Sequence, residues 1–277
     1  MDRYIKLKKI AVACQVSILL LFVFSTIVLA SSPSEDGGEK GSGGDVVFSK
    51  QIEGSIPAKD PMSPLWDEVA AVEFPTSPQV MTEPRIFNVT AKKVKIRSLH
   101  NGKEIAFLME FDDPKKEDGD AAALEFMVGD KKSHFAHALP MVQVEGGFVN
   151  IWQWKAGDNK VKDLYARGYI NAPEPHAKQN VTGAGVWKDN KWHVVFSRPF
   201  ETGDEKDVVF KPAEFRSIAF ATWDASNREK GSQHSFTAWR WMVLESTIGG
   251  SVYIYALLGV LVTAAAEAIF VSKISDK

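Results

Sequence analysis

Residues 92–111 read KKVKIRSLHNGKEIAFLMEF. Before the Asn-Gly pair at 101–102, apolar side chains alternate with lysine and arginine, and after it Ile105, Phe107 and Met109 occupy every second position. A period of two residues is that of a β-strand, and Asn-Gly favours the tight turn that joins two antiparallel strands. The stretch therefore predicts a β-hairpin.

Further runs rich in Val, Ile, Phe and Trp are bounded by Gly, Pro, Asp or Asn. They predict strands over 46–51, 122–128, 148–154, 192–196, 218–223 and 236–243. Between residues 45 and 245 no apolar stripe of helical period is longer than three turns, and 66–72 predicts one or two helical turns. The Gly-Ala-Gly stretch at 183–185 is interpreted as a flexible loop. Many short strands separated by turn residues predict a mainly β domain, a β-sandwich or barrel.

Both ends of the chain contain long apolar runs. Three lysines precede an uncharged run over 10–30 that ends in Val-Leu-Ala, which predicts a signal peptide over 1–30, with an uncleaved anchor as the alternative. Residues 248–266 carry no charge, and the apolar character continues to Val271. A transmembrane helix is therefore predicted over 248–271, followed by a short cytoplasmic tail over 272–277.

The region between these ends divides into two parts. Residues 31–44 are rich in Ser, Gly, Glu and Asp, which predicts a flexible linker. Residues 45–245 are long enough to bury a single core and are predicted to form one domain. Export of the N-terminus would place that domain on the periplasmic side of a cell membrane, held by a single span.

Composition excludes several classes of site. The 277-residue chain has one cysteine, Cys14, and a net charge of -2. One cysteine excludes a disulfide framework, a cysteine zinc site, a protein-ligated iron–sulfur cluster and the CxxCH attachment of a c-type haem. A mildly acidic chain argues against nucleic acid as a partner. The absence of G-x-S-x-G, P-loop and G-x-G-x-x-G motifs disfavours an independent enzyme.

Histidine and acidic residues give weak signals. His134 and His137 form an HxxH pair, but no third ligand has suitable spacing, which disfavours a metal site there. His100 lies beside the hairpin turn and is interpreted as solvated. The acidic residues over 112–120 are interpreted in the same way, as a charged turn exposed to water.

Tryptophan is more informative. Trp152 and Trp154, like Trp239 and Trp241, are two positions apart, so each pair lies on one face of its strand. Two interpretations stay open for such pairs. They could form part of the core, or they could form an aromatic wall for a flat ligand such as a haem or a sugar.

Three blocks of sequence, taken in order, carry a family resemblance. They are PLWDE at 64–68, FAHALPM at 135–141 with VNIWQWKAG at 149–157, and IAFATWDASNRE at 218–229 with His234 and Trp239. Together they resemble the haem-b-binding γ subunits of type II molybdenum enzymes of the dimethyl-sulfoxide-reductase family. These subunits accompany ethylbenzene dehydrogenase, chlorate reductase and nitrite oxidoreductase. The resemblance spans most of residues 60–245 and rests on order and spacing rather than on any one motif.

The resemblance implies a haem b held non-covalently between a methionine and a lysine. The methionine corresponds to Met141. At the position of the lysine this chain has His234, which is the expected second axial ligand because a neutral imidazole binds haem iron readily, and Lys230 is the runner-up. The same blocks imply a haem pocket formed by His137, Trp152, Trp154, Trp223 and Trp239.

The resemblance also implies a fold and a function. The fold is an immunoglobulin-like or carbohydrate-module-like β-sandwich with short helices. The function is electron transfer between the iron–sulfur subunit of a molybdopterin enzyme and a cytochrome c or quinone acceptor, without catalysis by this subunit. Membrane attachment favours a nitrite-oxidoreductase or nitrate-reductase-like complex. The alternatives are a tail-anchored carbohydrate-binding module without cofactor and a structural anchor that has lost its haem.

Overall fold

The computed structural model describes residues 46–81, 83–129, 147–167, 172–246 and 250–275. The chain divides into two compact units. One contains the β domain, and the described part of the other is a single helix, α1 (Gly250–Ser275). The predicted signal peptide over 1–30 and linker over 31–44 lie outside the described residues.

The described residues of the β domain form strands and two short 3₁₀ helices, Pro64–Glu68 and Ala225–Asn227. The strands are β1 (Val46–Gln51), β2 (Val72–Pro75), β3 (Ser77–Pro78), β4 (Lys93–His100), β5 (Glu104–Asp112), β6 (Ala121–Val128), β7 (Phe148–Lys155), β8 (Lys160–Arg167), β9 (Glu174–Pro175), β10 (Thr182–Lys188), β11 (Lys191–Pro199), β12 (Arg216–Trp223), β13 (Ser235–Phe236) and β14 (Arg240–Leu244).

The predicted hairpin is confirmed as β4 and β5. Val94 lies opposite Phe111 and Ile96 opposite Met109, so the alternating apolar residues of both strands share one face. That face is inside: Val94, Ile96 and Met109 have no exposed surface. The alternation in the sequence thus reports which side of the sheet is buried.

The strands join into one hydrogen-bonded sheet in the order β10-β11-β5-β4-β1-β14-β12-β6-β7-β8-β9, with β2, β3 and β13 attached at its sides. β1 runs parallel to β4 and to β14, while the other pairs of the described strands are antiparallel. The mainly β class is confirmed. The connection through β1 was not predicted, because parallel pairing joins residues far apart in the chain.

The two halves of the sheet face each other across one apolar core. Phe107 on β5 meets Trp152 on β7, with ring centroids 5.9 Å apart, and Trp154 on β7 meets Trp192 on β11 at 4.7 Å. These side chains come from opposite ends of the strand order, so the sheet folds back on itself. The arrangement resembles a sandwich whose two layers are joined by β1.

Strand β10 corrects the interpretation of residues 183–185 as a flexible loop. They pair with β11, and both glycines are required by close approach rather than by a turn. A Cβ on Gly183 would lie 2.0 Å from the Val195 carbonyl oxygen, and one on Gly185 would lie 2.3 Å from Cζ2 of Trp154. Glycine inside a strand often marks such an approach.

Helix α1 covers most of the range predicted to span a membrane. A search of the described residues finds no helix that is both long and apolar enough to cross a membrane, so the structure does not confirm the predicted span over 248–271.

Candidate functional site

His234 and Trp223 meet at one end of β12 and β13. Ala221 lies opposite Phe236 in this strand pair, and continuing the register places His234 opposite Trp223. The imidazole and indole centroids are 4.8 Å apart, and the Phe236 ring centroid lies 5.9 Å from the imidazole. Two aromatic neighbours therefore hold the His234 ring.

Within the part of the chain that the structure describes, the hydrogen bond of the His234 ring to Gly231 is made by Nδ1. Nδ1 lies 3.2 Å from the Gly231 carbonyl oxygen, which can only accept, so Nδ1 carries the proton. Burial lowers the pKa of His234, which keeps the ring neutral at pH 7. The Trp223 indole donates to the same carbonyl at 2.9 Å. The lone pair of the neutral imidazole is thus on Nε2, the arrangement that metal-binding histidines use.

Beside His234 lies a surface that we call the alanine face, on the side of the sheet away from the core. In the register of β12 and β6, Trp223 lies opposite Ala121, Ala221 opposite Ala123, and Ala219 opposite Glu125. Because side chains alternate along a strand, these residues point to the face of the sheet away from core residues such as Phe220. The alanine face consists of Ala121, Ala123, Ala219 and Ala221.

The alanine face is apolar and shielded from water. Ala121, Ala123 and Ala219 are buried although they point away from the core, and burial raises the pKa of the neighbouring Glu125 to about 8. Methyl groups at four adjoining positions keep the side-chain volume on this face of the two strands small. The block at 218–229 contains Ala219 and Ala221, but the sequence does not show that the strand register joins them to Ala121 and Ala123.

Trp152 and Trp154 occupy the core. Neither has exposed surface, and their indole nitrogens donate to Asn150 Oδ1 at 2.9 Å and Asn159 Oδ1 at 2.8 Å. The two side chains do share a face, as predicted, but that face is the inner one. Of the two interpretations left open by the sequence, core packing is the one that their position supports, and neither indole lines the alanine face.

Of the other predicted site residues, the structure describes Lys230 and Trp239. Lys230 is exposed and forms an isolated bridge with Gln233 in the turn before His234. Trp239 is half-buried and lies between β13 and β14. Met141 and His137, together with His134, lie outside the described residues. The structure therefore brings together His234 and Trp223, while the predicted methionine ligand stays a prediction.

A second group of polar residues was missed. Asp113, Glu117, Asp120 and Asp224 each offer an oxygen, and these oxygens lie within 4.8 Å of one another. We call this group the acidic cluster. Asp113 and Asp120 have no exposed surface, so the prediction that the 112–120 turn is solvated is wrong for them.

The acidic cluster is buried because its loop folds inward. The Asp113 N–H donates to the Asn190 carbonyl at 2.9 Å, and the Ala225 N–H donates to Asp120 Oδ1 at 3.0 Å. Burial, with the charges of Asp120 and Asp224 as a smaller cause, raises the pKa of Asp113 to about 7. Burial also raises the pKa of Glu117.

A third group, Asp163, His176 and Asp207, is also buried. Here a cation is already present, since Arg198 lies 3.2 Å from Asp207. His176 reaches Asp207 at 3.3 Å and the half-exposed Asp204 at 3.0 Å. Arg198 supplies positive charge beside the carboxylates, so the group is a structural ion-pair network that supports the core.

Solved structures of carbohydrate-binding proteins are similar to this chain. A family 9 carbohydrate-binding module from Caldicellulosiruptor kristjanssonii, in complex with glucose, has a TM-score of 0.43 at 8% identity, covering 74% of this chain and 97% of its own. A putative carbohydrate-binding protein from Bacteroides uniformis has a TM-score of 0.45 at 12% identity, covering 72% and 99%. Similarity of this degree carries no statement about a ligand.

Sequence relatives are more specific. The chlorate reductase subunit gamma of Ideonella dechloratans is 30% identical over 124 residues, which cover 45% of this chain and 49% of the relative. The putative respiratory nitrate reductase heme subunit ORF7 of Haloferax mediterranei is 22% identical over 191 residues, covering 65% and 66%. The chain thus spans about half the length of the first relative and just under two thirds of the second.

The family described as ethylbenzene dehydrogenase matches residues 63–180 and 174–235. The matched region includes β4 to β12 and ends one residue beyond His234. The matched region contains β6 and β12, which carry the alanine face, and it also contains every residue of the acidic cluster. The family match covers more than half of the chain, and the names of the two relatives contain the words subunit gamma and heme subunit. The chain therefore belongs to the ethylbenzene dehydrogenase family of γ-type haem subunits.

Proposed function

We propose that the β domain binds one haem b without a covalent bond and relays electrons within a respiratory molybdenum/iron–sulfur oxidoreductase complex. The observation that carries the proposal is His234. It is a neutral imidazole whose Nδ1 is committed to the Gly231 carbonyl and whose Nε2 is left to bind a metal beside the alanine face. An orienting hydrogen bond on the far nitrogen is typical of metal-ligating histidine.

The alanine face fits a planar macrocycle. Its four side chains are single methyl groups on the outer face of β6 and β12, and Trp223 and Phe236 border it with aromatic rings. Ala121, Ala123 and Ala219 are at most 4% exposed, so little water reaches them. A dry setting of this kind disfavours the more highly charged state of a bound redox group and so raises its potential.

The proposed axial ligands are His234 and Met141, with Lys230 as the runner-up. Lys230 is exposed and would have to lose a proton before binding iron, whereas His234 is already neutral. Trp223, Trp239 and His137 are proposed to complete the pocket. When bound, the haem supplies a one-electron ferric/ferrous couple. The chain itself binds and orients the group and keeps water from it, and no catalytic residue is assigned.

The partners are part of the same proposal. The names of the relatives refer to chlorate reductase and to a respiratory nitrate reductase. We propose that this chain assembles with a molybdopterin catalytic subunit and an iron–sulfur subunit of a nitrite-oxidoreductase or nitrate-reductase-like complex. A cytochrome c or the quinone pool would exchange electrons with the haem on the periplasmic side.

Membrane anchoring completes the proposal and is supported by the residues of α1. Side chains 257–266 are all exposed, and they are apolar or small on every side of the helix. A helix that is apolar all round needs a partner or a lipid environment. Retention of the chain in membranes after alkaline carbonate washing, and its release by detergent, is the expected result. Release by carbonate would contradict the anchor.

Haem reconstitution of the purified full-length chain tests the function. Addition of haemin should give a Soret band and sharp α and β bands on reduction, which indicate a low-spin haem. A folded chain that stays colourless would overturn the proposal, and binding of a glucan by that chain would favour the carbohydrate alternative.

Variants test where the haem binds. Ala221→Phe should block haem uptake by filling the alanine face, whereas Ala184→Phe, on the edge strand β10, should leave uptake unchanged. His234→Ala should give high-spin or haem-depleted protein, and Lys230→Ala should keep the low-spin spectrum. If the two outcomes are reversed, Lys230 is the ligand and the choice of His234 is wrong.

A further inference from the structure

We propose that Asp113, Glu117, Asp120 and Asp224 of the acidic cluster bind a calcium ion that ties the 112–120 loop to the end of β12. The inference is independent of the haem, since it concerns the other side of the same strands. Asp120 directly precedes Ala121, and Asp224 directly follows Trp223. Because side chains alternate along a strand, the two carboxylates point inward while the alanine face points outward.

The acidic cluster concentrates negative charge without a nearby ion-pair partner among the residues that the structure describes. Four carboxylates converge within 4.8 Å, and within the part of the chain that the structure describes no lysine or arginine forms an ion pair with any of them. Buried carboxylates are expected to be paired with a cation or to coordinate a metal. The contrast with the third group is direct, because there Arg198 supplies the compensating charge.

Asp113 contributes a buried carboxylate oxygen that has no hydrogen-bond partner among the described residues. This side chain is fully buried, and its Oδ1 accepts the Lys115 N–H at 3.1 Å, while Oδ2 has no hydrogen-bond partner in the structure. Glu117 Oε2 is likewise buried and without a partner. A buried oxygen without a donor costs free energy unless something binds it. Two such oxygens belong to one cluster, and a single cation would satisfy both.

The remaining two carboxylates are held in place by neutral donors. Asp120 Oδ2 accepts the Glu117 N–H at 2.7 Å and the Trp192 indole N–H at 3.1 Å. Asp224 Oδ1 accepts the Ser226 N–H at 2.8 Å, and its Oδ2 accepts the Thr90 hydroxyl. Such donors fix the carboxylates without cancelling their charge, which is how outer-shell groups orient metal ligands.

Donor type and the irregularity of the site select the ion. Carboxylate oxygens suit hard cations such as Ca²⁺ and Mg²⁺. The oxygens of the acidic cluster all lie within 4.8 Å of one another, close enough for one cation to contact them. Mg²⁺ demands near-ideal octahedral geometry, whereas Ca²⁺ tolerates the irregular geometry of a site assembled from a loop and a strand end. We therefore assign the site to Ca²⁺.

Terbium luminescence of the purified full-length chain, stripped with a chelator, tests the site. Tb³⁺ replaces Ca²⁺ in oxygen sites and emits when a nearby tryptophan is excited, and the Trp192 indole donates to Asp120. We expect sensitised emission that Ca²⁺ displaces at lower concentration than Mg²⁺. Trp192→Phe should remove most of the emission while calcium still stabilises the protein against heat.

Matched variants locate the ion. Asp113→Asn should weaken calcium binding at least about tenfold, as loss of even an outer-shell partner does. Asp118→Asn lies in the same loop but is exposed and outside the cluster, so its calcium affinity should equal that of the unaltered chain. No response of luminescence or melting temperature to millimolar Ca²⁺, or equal responses from both variants, would overturn the proposal. Neither result would affect haem binding, which is measured separately.

Discussion

Replacement of Gly185 by alanine tests whether Trp154 is an immobile part of the core. The added Cβ would lie 2.3 Å from Cζ2 of Trp154 and 2.6 Å from Cε2. Ordinary carbon contacts are about 3.5–4.0 Å, so the overlap exceeds about 1 Å. Trp154 cannot retreat easily, because its indole donates to Asn159 and its ring packs against Trp192.

The expected cost follows from these contacts. Overpacking a tight core costs about 1–3 kcal/mol, and the overlap here places Gly185→Ala at the upper end. Alanine also lowers the conformational entropy of the unfolded chain, which offsets about 0.4–1 kcal/mol of this destabilisation. The net destabilisation is therefore about 2 kcal/mol, which lowers the melting temperature of a domain of this size by about 4–8 °C.

Urea unfolding followed by tryptophan fluorescence measures the change. Ala184→Ser, at the neighbouring position that faces away from Trp154, is the matched control and should cost less than about 0.5 kcal/mol. Adding Trp154→Phe removes the atoms that clash, so the double variant should be more stable than the sum of the single effects by about 1–2 kcal/mol. Additive effects, or a cost below about 0.5 kcal/mol for Gly185→Ala, would show that Trp154 moves freely.

Two further predictions concern buried charge. Arg198→Met should destabilise the domain by about 3–5 kcal/mol in urea unfolding, because Asp207 stays buried without this partner. The control Lys93→Met breaks the exposed pair with Glu73 and should cost less than about 1 kcal/mol. Equal costs would contradict the proposed role of the network. Burial lowers the pKa of His100 below its ordinary 6.5, so its stabilising contribution is complete above pH 6.5 and is lost as the pH falls through the lower folded value. Between pH 7 and pH 4, the melting temperature of His100→Gln should therefore fall less steeply than that of the unaltered chain. Parallel profiles for the two proteins would show that protonation of His100 does not destabilise the domain.

The sequence was sufficient for the elements whose signals are local. The alternation around Asn101-Gly102 predicts the hairpin, because the period of two residues and the turn chemistry lie within twenty residues. Strands β1, β6, β7, β11, β12 and β14 were predicted for the same reason, whereas β2, β3, β8, β9 and β10 were not, and the single strand predicted over 236–243 is interrupted between β13 and β14. The family was also recognisable, since the order of its blocks is a property of the chain alone, and the match over 63–235 confirms it.

Burial of polar residues could not be predicted from local signals. His100 was interpreted as solvated because it adjoins a turn, yet it is 1% exposed, and its Nε2 donates to the Glu245 carbonyl at 3.0 Å. Asp113 and Asp120 lie in a stretch as charged as any exposed loop. Whether such a loop faces water depends on partners such as Asn190 and Ala225, which lie far away in the sequence.

Tertiary structure alone decided which residues form a site. Trp152 and Trp154 were correctly placed on one face, but the sequence could not distinguish the inner face from the outer, because both are apolar in a covered sheet. The alanine face arises only when β6 and β12 pair, and their alanines are about one hundred residues apart in the chain. The same pairing brings Asp120 beside Asp224. Sequence patterns determine the period and face of a strand, whereas its neighbours are chosen by long-range packing.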